Sequence, residues 1–172
     1  TRTRFEHNET GNRIQDLDRN GRGVNGRAVI FVTGDQPIIA DNKILNNSAV
    51  AISIGVNDLN YEFVQDQGPQ TSNVRPVEGR VGNQGPLIQG NAIGDNFING
   101  MVVRGGTLTT EGVWDDTDIV HVLQDQVHIT DFHTFGGLRL QSSSDESLVV
   151  KLDGPFEFNG ATGEVISPGA GF

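Results

Sequence analysis

A chain of 172 residues carrying 12 Lys and Arg against 22 Asp and Glu, net charge -10, can bury one core but is too acidic to coat a phosphate backbone, so nucleic acid is excluded as a partner. Cysteine is absent, which rules out a disulfide framework and a thiolate metal site, and no apolar run approaches the roughly 18 residues of a membrane span. Glycine, at 23, and Asn are both abundant, and both accept left-handed or tight-turn backbone, so the chain is expected to turn often and hold few long helices.

In chain order, the first strand-like run is Phe5–Asn8, followed by a polar insertion near 9–26. Within it Asp16, Asp18 and Asn20 precede Gly21, with the alternating oxygen ligands and turn glycine that open an EF-hand-type calcium loop. They are the candidate metal ligands, with calcium the candidate ion. Arg27 stands where that loop needs a bidentate Glu, so a solvated turn-rich loop is the simpler reading. Next comes Ala28–Phe31, and then the clearest internal similarity. Segment 37–54 lies over 86–103 without a gap, with identities at Pro37/Pro86, Ile39/Ile88, Asn42/Asn91, Ile44/Ile93 and Asn47/Asn96, an offset of 49 (86 − 37). Phe5–Asn8 overlies Ile44–Asn47 at an offset of 39 (44 − 5), and Ala28–Phe31 overlies Ala51–Ile54 at 23 (51 − 28). A rung of 23 residues with insertions near 9–26 and 55–85 accounts for all three copies.

A period in the low twenties with short strands predicts an all-β, right-handed parallel β-helix, a β-solenoid whose rungs of about 20–23 residues stack about 4.8 Å apart. Inward positions then pile up: Val29, Ile52 and Met101 in one column, Phe31, Ile54 and Val103 in another. Asn42 over Asn91 and Asn47 over Asn96 are expected to form amide ladders in the turns, the Asn residues themselves tolerating left-handed backbone. Further strand-like runs fall at 119–123, 127–130, 138–141, 147–152, 156–158 and 164–166, with weaker mutual similarity. A β-sandwich is the alternative architecture, disfavoured by the ungapped repeat. Residues 1–172 are expected to form a single β-helix domain. The chain opens at Thr1 with neither Met nor a signal-like stretch, so it reads as a segment of something longer.

The segments Phe5–Asn8, Ala28–Val32, Gln36–Pro37, Asn83–Ile88, Asn99–Gly106, Val113–His121, Gly136–Leu140 and Ser147–Leu152 resemble a β-helix region of very large secreted multidomain bacterial proteins. The resemblance leaves out 9–26 and about 60–80, implies the fold and an extracellular or cell-surface location, and carries no activity.

Three patterns bear on chemistry. Asp115, Asp116 and Asp118 beside Trp114 offer paired carboxylates for acid and base and a ring to stack on a sugar; the plainer reading is an acidic turn with Trp114 covering the core. His121, His128, Asp131 and His133 are a possible metal or acid/base cluster, weakened by the opposite parity of His128 and His133. Tyr61, with Phe63, Arg75 and Arg80, lies in the second insertion, where solenoids often carry binding loops. No nucleophile elbow, P-loop or dinucleotide fingerprint occurs. The expected function is therefore a non-catalytic structural or adhesive module that meets flanking domains or like subunits through its ends. The alternatives are a polysaccharide-active lyase or hydrolase, and a glycan-binding domain using Trp114 or Tyr61.

Overall fold

The computed structural model describes residues 3–8, 27–59, 85–109, 111–130, 133, 137–154, 156–158, 161–162, 165–168 and 171. Its regular structure is nearly all short strand. In chain order these are β1 (Arg4–Glu6), β2 (Ala28–Val32), β3 (Ile38–Ala40), β4 (Lys43–Leu45), β5 (Val50–Gly55), a 3-10 turn (Val56–Asp58), β6 (Leu87–Gln89), β7 (Ala92–Gly94) and β8 (Ile98–Arg104). Then follow β9 (Gly106–Leu108), β10 (Gly112–Trp114), β11 (His121–Leu123), β12 (Val127–Ile129), β13 (Leu138–Leu140), β14 (Val150–Leu152), β15 (Phe156–Phe158) and β16 (Val165–Pro168). Among the described residues no helix is long and apolar enough to cross a membrane.

Pairing is parallel and between successive passes of the chain. The order β1-β4-β7 forms one sheet, β14-β11-β8-β5-β2 a second, and β3-β6, β9-β12 and β10-β13 are two-stranded. The exception is β15 with β16, an antiparallel pair. Ile52 pairs with Met101, Ile54 with Val103, Ile39 with Ile88 and Ile44 with Ile93, so the repeat at offset 49 becomes a physical register.

The first copy departs from the expected alignment by one residue. Ile30, not Val29, pairs with Ile52, and Val32, not Phe31, pairs with Ile54. The column is therefore Val32, Ile54, Val103, Leu123, Leu152. In a strand a slip of one exchanges the two faces, and Ala28–Val32 is apolar on both, so hydrophobicity alone did not choose. Phe31 lies on the outer side, 42% exposed, under the Arg104 guanidinium at 4.1 Å. That guanidinium also donates to the Val32 carbonyl at 2.6 Å and the Ser53 hydroxyl at 3.0 Å, clamping three passes together.

The second insertion also begins later than expected. Val56 and Leu59 are core residues, and Asn57 donates to the Thr107 carbonyl and accepts from the Thr109 amide, so residues 55–59 belong to the stack.

The Asn ladders form as expected, with one change of detail. The Asn42 amide and side chain both donate to Asn91 Oδ1, and those of Asn47 donate to Asn96 Oδ1. Asn8 extends the second ladder by donating to Asn47 Oδ1. The left-handed residue is the one before each ladder Asn: His7, Asp41, Asn46, Gly90 and Asp95, with φ of 53, 56, 55, 66 and 53°. The ladder Asn thus supplies the bond while its predecessor makes the bend.

The main core runs through the stack and includes Ile44, Ile52, Ile54, Leu59, Met101, Val103, Leu108, Trp114 and Leu123, all buried. A smaller cluster of Val50, Val102 and Val122 covers the other face of the five-stranded sheet.

Candidate functional site

Among the described residues, unusual side chains concentrate at 112–123, where the third pass shortens. Counting the pass through β3, β4 and β5 as the first, the second travels from β6 through β7 to β8. The third goes from β10 past β6 and directly to β11 beside β8, since the Met101 amide of β8 donates to the Val120 carbonyl just before β11. Gly100 permits this approach, because a Cβ there would lie 2.8 Å from the Val120 oxygen.

Asp116 and Asp118 line the short cut. The Ile88 amide donates to Asp116 Oδ1 at 3.2 Å and the Gly90 amide to Asp118 Oδ2 at 2.8 Å. These amides, on alternate residues of β6 and its turn, point away from β3, and carboxylates meet them where a strand carbonyl otherwise would. Asp116 is 4% exposed, whereas Asp118 is exposed and Asp115 half-buried. Burial pushes the Asp116 carboxyl up to about 8; the Ile88 amide opposes the shift, and the charges of Asp115 and Asp118 add to it.

Trp114 and His121 are fully buried and stacked, ring centroids 5.4 Å apart and planes inclined by 14°. Trp114 sits in the main core, so neither ring face is open to a sugar in this structure. Neither ring nitrogen of His121 meets a well-formed hydrogen bond, and burial lowers its pKa to about 4, with the Ile119 backbone pulling the other way. His121 is therefore a neutral core residue at pH 7.

The structure brings Asp116, Asp118, Trp114 and His121 onto one short stretch, and separates the histidines. His128 and His133 are exposed, and among the described residues no three His, Asp or Glu side chains gather to hold a metal. Asp16, Asp18, Asn20, Tyr61, Phe63, Arg75, Arg80 and Asp131 lie outside the described residues. Two features escaped the sequence reading. One is the clamp of Arg104 on Phe31, with Asp58 3.8 Å from the guanidinium and accepting from the Gly34 and Gly55 amides. The other is Asn99, whose Oδ1 accepts from the amide and side chain of Asn96 and closes the ladder where the third pass turns away. The missed signal was the even-odd order of residues 28–32 and the third-pass shortening, which only pairing reveals.

Comparison with protein-family models, with curated proteins and with solved structures found no match to this chain.

Proposed function

We propose that this chain is a right-handed parallel β-helix segment serving as a non-catalytic structural or adhesive module of a secreted or cell-surface bacterial protein. One observation carries the reading: the polar side chains best placed for chemistry are engaged in holding one pass of chain to the next. Asp116 and Asp118 accept backbone amides of the preceding pass, Asn42, Asn47, Asn91 and Asn96 form ladders, and Arg104 bridges three strands. The rest of the interior is filled by aliphatic columns and the Trp114–His121 stack. An acidic stack of parallel strands stiffened in this way suits a spacer or adhesive surface.

A second reading, a polysaccharide lyase or hydrolase, draws on one specific feature. A carboxyl kept protonated by burial beside two other carboxylates is the acid and base arrangement that glycoside cleavage uses. The test is a panel of acidic and neutral polysaccharides assayed with and without calcium. The scaffold reading expects no turnover on any of them. Turnover that Asp116→Asn abolishes while the fold is retained would overturn it in favour of the enzyme.

A further inference from the structure

The last strand of the five-stranded sheet leaves the core open. Leu152 belongs to the inward column and is 57% exposed, and Leu140, paired with Trp114 in the inward direction, is 48% exposed. Ile129, in register with the buried Leu108, is also exposed. At the other end of the Leu152 column Val32 is buried, so only one end of that column is uncovered. Among the described residues β14 pairs with β11 alone.

The free edge of β14 has a definite pattern. The Val149 carbonyl accepts from the His121 amide, and the Asp153 amide donates to the Leu123 carbonyl, so the odd-numbered residues turn their backbone towards β11. By the alternation of a strand, the amide and carbonyl of Leu152 both turn to the open side. Flanking it are Lys151 and Asp153, whose side chains are 3.3 Å apart and largely solvated.

We propose that β14 is a self-association edge, pairing antiparallel with β14 of a second copy about a two-fold axis through Leu152. In that register the two Leu152 residues exchange both backbone hydrogen bonds, as a hydrogen-bonded antiparallel pair requires. Their side chains meet on the core side, where each covers the other's exposed column end. On the outer side each Lys151 stands opposite the other chain's Asp153, giving two ion pairs from a pattern complementary to itself. The contact is isologous and closes at two copies. A head-to-tail stack is disfavoured because Val32, at the far end of the column, is already covered. The proposal deepens the scaffold reading by naming the partner at one end of the stack.

Sedimentation velocity of the full chain across a wide concentration range tests it. The wild type is expected to show a monomer–dimer equilibrium, and Leu152→Asp to remain monomeric with an unchanged circular dichroism spectrum. Lys151→Asp alone and Asp153→Lys alone are each expected to weaken dimerisation about tenfold, and the double exchange to restore it, because the opposed charges are then merely swapped. A wild type that is monomeric at all concentrations, one that grows beyond dimers, or a double exchange no better than the singles would overturn the proposal. A monomer inactive on polysaccharides would sink the dimer and leave the scaffold reading standing. Polysaccharide turnover by a dimer would do the reverse.

Discussion

His121 and Asp116 lie five positions apart in one short segment, and their burial makes stability depend on pH in opposite directions. Asp116 holds its proton in the folded chain up to about 8, against an ordinary value of 3.8. Its contribution is complete below 3.8 and is lost as pH rises towards 8, since the unfolded carboxyl ionises first. His121 stays neutral in the fold down to about 4, against an ordinary 6.5, so stability is lost as pH falls from 6.5 to 4, where the unfolded imidazole takes the proton first. Between 4 and 6.5 the two slopes oppose each other, and above 6.5 only that of Asp116 remains. Urea unfolding at a series of pH values, followed through Trp114, the single Trp of the chain, is expected to show a plateau over the lower range. A fall of roughly 2 kcal/mol is then expected between pH 6.5 and 8, at about 1.4 kcal/mol per unit. Asp116→Asn should remove that fall, and His121→Gln should extend it down to pH 4. The acidic cluster was legible in the sequence. The partner of Asp116 was not, because the Ile88 amide is 28 residues away and is brought near by the stacking.

The Asn ladders show how an element shorter than a strand can hold passes of chain together. Asn47 is buried and central: it accepts from Asn8 and donates to the Leu45 carbonyl at 2.9 Å and to Asn96 Oδ1 at 2.6 Å. Replacing it with Ala strips bonds from both neighbouring passes and leaves buried polar groups unmet, each costing about 1–3 kcal/mol. Asn99 ends the same ladder from an exposed position. Asn47→Ala is therefore expected to cost about 3 kcal/mol and Asn99→Ala about 1 kcal/mol, read as the difference in unfolding free energy. The ladder residues were visible in the repeat because identical side chains recur at one spacing. Their division of labour with the residue before was hidden, since His7, Asp41, Asn46, Gly90 and Asp95 are of four different side-chain types and only their φ reveals the common role.

At the scale of the whole molecule the stack has a closed middle and an open end. Leu123 and Leu152 occupy one inward column, yet Leu123 is fully buried and Leu152 more than half exposed. Leu123→Ala is expected to cost about 3–4 kcal/mol through lost burial and the cavity left behind, and Leu152→Ala only about 1 kcal/mol in the monomer, because water already reaches it. Equal costs in a thermal or urea comparison would mean that something covers Leu152. Because the pairing is parallel and long in sequence separation, folding is expected to be slow.

The sequence by itself determined that strands recur, that Ile44 lies over Ile93, Ile52 over Met101 and Asn47 over Asn96, and that the surface is acidic. Identical or similar residues at a constant offset carry that information without any knowledge of the path between them. The register of Ala28–Val32, the corner cut by the third pass, and the burial of Asp116 and His121 were decided only by the tertiary structure. In each case the deciding contact joins residues from different passes, and a strand apolar on both faces, or an Asp beside a turn, does not reveal from its own neighbours which side becomes the inside.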